Sequence, residues 1–168
     1  ILGEVPPPVC EDMVPSPQSP YGASKLATEG YLSAFAASYN IKACSLRFSN
    51  VYGPRSWHKG SVVAAFMKNI LRGESLQVFG DGEQTRDYVH VEDLCRGIIQ
   101  AITSGKSGVY QLGTGCPTSI NQLIATISNV TNRKLKVAYL PHRQGEILHT
   151  YCNITKAKES FGYNPHIR

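Results

Sequence analysis

The sequence has few of the features that mark a membrane, secreted or metal-binding protein. No stretch of its 168 residues approaches the ~18 consecutive apolar residues of a membrane-spanning helix. The 5 cysteines form no C-x-x-C pair, and their odd number argues against a disulfide framework, which favours reduced thiols in a cytoplasmic protein. The 5 histidines have no ligand spacing, and we therefore predict no metal site.

Two further absences concern binding. The sequence has no G-x-G-x-x-G turn, the pattern that places a dinucleotide pyrophosphate on a helix N-terminus. It also has no basic cluster with interleaved aromatic residues, although its net charge is +5, which argues against a nucleic-acid surface. The spread positive charge fits a pocket for a small anion such as a nucleotide diphosphate, or simply an ordinary basic surface.

Helical and extended patterns alternate along the chain, which predicts an α/β fold. Residues 1–20 are rich in proline and are predicted to form a surface loop, as are residues 49–60. Ser119 and Gln122 form a capping box. Helices are predicted over 21–39, 61–72, 91–103, 119–130 and from a cap at Asn153 to 162, and strands over 42–48, 76–79, 87–90, 109–112 and 135–140.

The most informative motif is Tyr21-Gly22-Ala23-Ser24-Lys25. Its tyrosine and lysine are four residues apart, which puts both side chains on one face of a helix. An ammonium beside a phenol favours the phenolate, so a tyrosine held this way can remove a proton from an alcohol. The spacing alone is weak evidence, since a packed tyrosine and a surface lysine would give the same pattern.

Three more segments follow in order: Leu46–Arg55 (LRFSNVYGPR), Phe79–Val91 (FGDGEQTRDYVHV) and Arg143–Glu146 (RQGE). Together with the tyrosine and lysine they closely resemble the NAD-dependent sugar-nucleotide epimerase/dehydratase family, the extended short-chain dehydrogenases. The resemblance runs over nearly the whole chain. Within the family the sequence looks most similar to UDP-sugar 4-epimerases, and the residues that separate epimerases, dehydratases and decarboxylases are not among these segments.

The resemblance implies the C-terminal part of a Rossmann-type α/β enzyme, with the last parallel strands and a small α/β substrate-binding domain. Residues 1–60 would be a remnant of the dinucleotide-binding domain and residues 61–168 mainly the sugar-nucleotide domain, with strand 109–112 returning to the Rossmann sheet. The Gly-rich N-terminal half is absent. In the family a catalytic serine or threonine lies just before a V-Y-G-like tripeptide, and Ile1-Leu2-Gly3 matches that tripeptide, so we expect this residue to fall upstream of Ile1.

The family's chemistry and site residues carry over by position. Tyr21 would deprotonate a sugar hydroxyl and Lys25 would assist it, while the cofactor NAD takes the hydride and a 4-keto sugar forms. Tyr21, Lys25 and Phe48 would contact NAD. The residues that match substrate-binding positions of the family are Asn50, Ser61, Val62, Phe79, Arg86, Arg143 and Glu146.

Each assignment has a structural alternative. Arg86 could pair with Asp87, Phe79 could belong to the core, Asn50 could hold its own loop, and Glu146 could be a solvated charge. The chain itself could be an enzyme half that is inactive alone, a binding module for a nucleotide sugar, or a relic that serves as an interaction protein. An uncovered sheet edge and helix face predict a homodimer or pairing with a separate N-terminal half.

Overall fold

The computed structural model describes residues 1–143, 145 and 147–167 as an α/β fold. The elements in chain order are α1 (Pro20–Tyr39), β1 (Cys44–Phe48), β2 (Asn50–Tyr52), α2 (Val62–Arg72), β3 (Leu76–Phe79), β4 (Thr85–Arg86), β5 (Tyr88–His90), α3 (Val91–Ser104), β6 (Gly108–Leu112), β7 (Thr118–Ser119), α4 (Ile120–Thr131), β8 (Val137–Leu140) and α5 (Thr155–Phe161).

Helix α1 begins and ends at local signals in the sequence. The Ser19 hydroxyl accepts a hydrogen bond from the Gly22 N–H at 3.1 Å, and a proline occupies the first turn, where its missing N–H costs nothing. Asn40 ends the helix in the left-handed conformation, directly after the predicted end at residue 39. Two 2.8 Å hydrogen bonds between Glu29 and Arg47 then hold α1 against β1.

The strands form pairs that join distant parts of the chain. β1 pairs with β6, β2 with β5, and β3 with β8, all in parallel, while β4 and β7 form a short antiparallel pair. The predicted loop over 49–60 is wrong at its start, because β2 lies there. That three-residue strand depends on pairing with its partner β5 rather than on a local sequence pattern. The residues after it form bends and turns.

The predicted ends of the other elements are close to the observed ones. The capping box at Ser119 is present, with hydrogen bonds in both directions to Gln122. Asn153 lies one residue before the observed N-cap of α5, yet its side chain accepts the Thr155 N–H at 2.8 Å. The two-residue strands β4 and β7 were not predicted, because nothing in so short a segment distinguishes them from loop.

Two hydrophobic cores stabilise the fold. The first joins α2, β3 and α4 through Phe66, Ile70, Leu76, Val78, Ile120 and Ile127. The second joins β5, α3, β6 and the C-terminal region through Val89, Leu94, Tyr110, Leu112, Ala157 and Tyr163. Helix α3 also holds the end of the chain, because its buried Asp93 accepts the backbone N–H groups of His166 and Ile167. The division of the chain at residue 60 stays a prediction.

Among the described residues, no helix combines the length and apolar character needed to cross a membrane. The same residues contain no cluster of three or more His, Cys, Asp and Glu side chains that could hold a metal ion.

We expect Gly97→Ala to destabilise the protein. A Cβ at this buried position of α3 would lie 2.7 Å from two ring carbons of Tyr163, whose hydroxyl is fixed by a 2.9 Å hydrogen bond to the Gly113 carbonyl. The overpacking should lower the free energy of unfolding by about 1–3 kcal/mol in urea denaturation, despite alanine's higher helix propensity.

Gly30→Ala is the matched control, since its Cβ in α1 would meet nothing within 4 Å. That variant should gain about 0.5–1 kcal/mol. Equal stabilisation by both substitutions would contradict the close packing of α3 against Tyr163.

Candidate functional site

The site is built around the buried carboxylate of Asp87, between β4 and β5. Asp87 accepts hydrogen bonds from the Thr114 N–H at 2.8 Å, the Thr114 hydroxyl at 2.7 Å and the Gly115 N–H at 3.0 Å. It is 3% exposed, so these donors replace water around its charge. Side chains alternate along an extended chain. Because the Asp87 side chain is buried, the side chains of Arg86 and Tyr88 point to the opposite side of the chain.

The Asp87 carboxylate also contacts Cys152, whose thiol lies 3.3 Å from Oδ2 and 3.3 Å from the Ser49 hydroxyl. Burial, and then the negative charge of Asp87, raises the pKa of Cys152 to about 12. The cluster has room only because residue 113 is glycine: a Cβ there would lie 2.6 Å from the Cys152 sulfur. This thiol is therefore a structural group.

Arg86 and Tyr88 line a cleft of about 650 Å³ that reaches the first core, which we call the substrate cleft. Residues far apart in the sequence meet there. Those among them that the sequence predicts as site residues are Tyr21, Phe48, Asn50, Ser61, Val62, Phe79, Arg86 and Arg143. Glu146, the remaining predicted substrate residue, lies outside the described residues.

Lys25 lines a second cleft of about 680 Å³, which we call the helix cleft. Tyr21 and Phe48 line both clefts and so stand where the two meet. The Lys25 ammonium nitrogen lies 5.3 Å from the centroid of the Tyr21 ring, on the same face of α1. Tyr21 is 73% exposed, so a ligand can reach its hydroxyl.

Phe79 and Arg143 form a stacked pair in the substrate cleft. The guanidinium carbon of Arg143 lies 3.7 Å from the centroid of the Phe79 ring, close enough for a cation–π interaction. The backbone of Phe79 is also fixed, because the buried Gln84 side chain donates a 2.7 Å hydrogen bond to its carbonyl. Phe79 is only partly buried, and its ring is therefore not a plain core residue.

The turn after Phe79 requires glycine. Gly80 and Gly82 both have positive φ, of 80° and 81°, a region that side chains other than glycine disfavour. The Asp81 side chain accepts the Glu83 N–H at 3.0 Å, which closes the turn. Asp81 and Gly82 thus have the turn role that the sequence suggests.

The other predicted residues lie at element ends facing the substrate cleft. The Arg86 guanidinium donates to the carbonyls of Thr85 and Leu148, at 2.8 and 3.1 Å, which directs it along the cleft wall. Asn50 begins β2 opposite Tyr88, and its backbone N–H is bound by the Asp87 carbonyl at 2.9 Å. Ser61 is the N-cap of α2 and Val62 its first residue.

Sequence reasoning missed several residues that line the substrate cleft, namely Lys59, Gln77, Gln84 and Tyr88. Two of them carry a signal that could have identified them. Gln77 precedes Phe79 by two residues in β3, and Tyr88 follows Arg86 by two, so each lies on the same side of an extended chain as a predicted residue.

We expect Cys152 to resist alkylation while Cys95 reacts. Cys152 is buried with a raised pKa, so little thiolate forms at pH 8, whereas Cys95 is exposed on α3. Iodoacetamide at pH 8 followed by peptide mass spectrometry should find the modification at Cys95 first. Unfolding in urea should make both thiols reactive, and rapid labelling of Cys152 in the folded chain would contradict the Asp87 cluster.

Comparisons with known proteins agree with this arrangement. Residues 1–113 match the sequence profile of the NAD dependent epimerase/dehydratase family. A putative UDP-glucose 4-epimerase of Methanocaldococcus jannaschii is 38% identical over 162 residues, which cover 95% of this chain and 52% of the relative.

Two solved structures are similar in fold and sequence. The UDP-glucose 4-epimerase of Thermotoga maritima with UDP-glucose has a TM-score of 0.93 and 40% identity, over 99% of this chain and 55% of that one. The UDP-glucuronic acid 4-epimerase of Bacillus cereus with UDP-glucuronic acid and NAD has a TM-score of 0.90 and 30% identity, over 99% and 54%.

The chain spans about half the length of the curated relatives it matches. The family match covers more than half of the chain and falls on the segments that build the two clefts. The α/β architecture and the resemblance inferred from the sequence are thereby confirmed. The chain belongs to the NAD-dependent epimerase/dehydratase family, the extended short-chain dehydrogenases.

Proposed function

We propose that this chain is the sugar-nucleotide-binding part of an NAD-dependent UDP-sugar 4-epimerase and carries its catalytic tyrosine and lysine. The observation that supports this most is the substrate cleft itself. It brings Tyr21 from α1 together with Asn50, Phe79, Arg86 and Arg143 from four later segments. Relatives of known structure bind UDP-glucose and UDP-glucuronic acid.

The lining of the substrate cleft suits each part of a nucleotide sugar. Phe79 offers a ring face for a base, and the forked guanidinium groups of Arg86 and Arg143 suit the oxygens of a diphosphate. Lys59 adds a third positive charge to the same lining. The sugar would then extend towards Tyr21 at the junction of the two clefts.

The chemistry of the proposed reaction falls to Tyr21 and Lys25. The Lys25 ammonium lies beside the Tyr21 ring, and the Tyr21 oxygen would take a proton from a sugar hydroxyl with Lys25 assisting it. Because α1 fixes the spacing of both residues, the base needs no rearrangement to become active. A 4-epimerase then returns the proton and hydride so that the configuration at that carbon is inverted.

The residues present fit one end of NAD. Tyr21, Lys25 and Phe48 line the helix cleft around the junction and would hold the nicotinamide and its ribose. When bound, NAD supplies the acceptor and donor of the hydride. The sequence contains no Gly-rich turn for the pyrophosphate, so we propose that this contact comes from an N-terminal half of the family's fold.

We expect the chain to bind UDP through Arg143. Arg143→Ala removes a guanidinium from the diphosphate and should weaken UDP binding by about 10- to 100-fold, the loss expected for hydrogen bonds to a charged group. Isothermal titration calorimetry measures this directly. Arg133→Ala is the control, because Arg133 is an exposed cation outside the cleft lining and should leave the affinity unchanged.

The same titration separates the alternatives that the sequence leaves open. UDP binding without NAD binding favours a binding module, and NAD reduction or sugar epimerisation by the chain alone favours a complete catalyst. Binding of neither ligand would overturn the proposed function and favour a relic or interaction protein.

We also propose that α1 packs against a second polypeptide, either a copy of the chain or a separate N-terminal half. Of its 20 residues only Gly22 is buried, and Tyr31, Phe35 and Tyr39 are 70%, 51% and 68% exposed. Aromatic side chains recurring along one helix at this exposure are typical of an interface. The edge of β1 away from β6 offers further backbone groups for pairing.

Sedimentation velocity should therefore give a mass above the 18.4 kDa of one chain. Phe35→Glu places a charge in the aromatic row of α1 and should shift the protein towards monomer. Val130→Glu is the matched control on α4, at a residue that is 81% exposed, and should not. A stable monomer of the unsubstituted chain at micromolar concentration would refute pairing with a second copy and leave only a separate N-terminal half as the partner of α1.

A further inference from the structure

Three buried side-chain atoms of the described residues have no hydrogen-bond partner: Arg47 Nη1, Gln84 Oε1 and the Tyr88 hydroxyl. Folded proteins pair nearly all such atoms, so each exception needs an explanation. All three residues line one of the two clefts, Arg47 the helix cleft and the others the substrate cleft. Unpaired atoms that all belong to residues lining a cleft point to groups that pair with a ligand.

Tyr88 is the best defined of the three. It pairs with Asn50 across the β2–β5 ladder and follows Arg86 by two residues, so both of these neighbours line the same cleft wall. The Arg86 charge reaches the phenol, since it lowers the pKa of Tyr88. Burial is the larger effect and raises that pKa to about 12, so the hydroxyl keeps its proton at neutral pH and remains a donor.

A buried donor on the same cleft lining as a guanidinium matches one part of a nucleotide sugar. The positive charge of Arg86 attracts an anionic group, and an oxygen of that group is an acceptor for the neighbouring hydroxyl. A base or a sugar hydroxyl has no such reason to lie against Arg86. We propose that the Tyr88 hydroxyl donates a hydrogen bond to a phosphoryl oxygen of the bound diphosphate, next to Arg86. This inference rests on the proposed function, because it assumes that the cleft binds a nucleotide diphosphate.

The test compares two ligands and two phenol-to-phenyl substitutions. Tyr88→Phe should weaken UDP binding roughly tenfold, as for one hydrogen bond to a charged group, and should leave uridine binding unchanged because uridine has no phosphate. Calorimetry follows UDP, and ligand-observed NMR follows the weaker uridine. The thermal midpoint should not fall, because the lost hydroxyl has no partner in the ligand-free protein.

Tyr163→Phe is the matched control. Its hydroxyl is paired with the Gly113 carbonyl, so this variant should lower the thermal midpoint and leave UDP affinity unchanged. The two substitutions thus separate a role in binding from a role in folding.

The outcomes are distinct. Unchanged UDP affinity in Tyr88→Phe overturns the inference while the unsubstituted chain still binds UDP. Equal weakening of UDP and uridine assigns the hydroxyl to the nucleoside and also overturns it. If the unsubstituted chain does not bind UDP at all, the proposed function fails and takes this inference with it.

Discussion

The architecture of the substrate cleft depends on one buried charge, the carboxylate of Asp87. It ties the segment between β4 and β5 to the loop after β6, through Thr114 and Gly115, and to Cys152 near the start of α5. A buried carboxylate is stable only when several donors surround it, and these hydrogen bonds fix its position. Arg86 and Tyr88 are the neighbours of Asp87 in the chain, so their backbone positions are fixed as well.

The same strand geometry divides the residues between stability and binding. In β3, Leu76 and Val78 are buried in the first core, whereas Gln77 and Phe79 are more exposed and line the substrate cleft, which Val78 also reaches. Around Asp87 the alternation repeats, with a buried carboxylate flanked by two cleft residues. Because the period of an extended chain is two, a single buried position determines where both of its neighbours lie.

The parts of the fold that the sequence predicts are those governed by local chemistry. The Ser119 capping box and the end of α1 at Tyr39 each depend on residues within about one helical turn, so their patterns are visible in the sequence. The site residues came from motif resemblance, and eight of the ten line the substrate cleft.

What could not be predicted depends on distant partners. Strand β2 forms because it pairs with β5, and no local sequence pattern predicts that pairing. The unpaired hydroxyl of Tyr88 is likewise a property of the folded neighbourhood, since the sequence gives no hint of which polar atoms lack partners. The partly buried Glu29–Arg47 pair joins residues 18 apart, and nothing in the sequence indicates that they meet.

That ion pair shows how the position of the proposed catalytic motif depends on both local and tertiary structure. The spacing of Tyr21 and Lys25 belongs to α1 alone, because any helix of this sequence would place them on one face. Their position over the cleft junction is different, since α1 buries only Gly22 and has little core packing of its own. The hydrogen bonds of Glu29 to Arg47 connect it to β1, the strand that carries Phe48 into both clefts. The geometry of the proposed base is therefore intrinsic to the helix, whereas its proposed alignment with a substrate depends on one partly buried ion pair and on whatever covers the exposed face of α1.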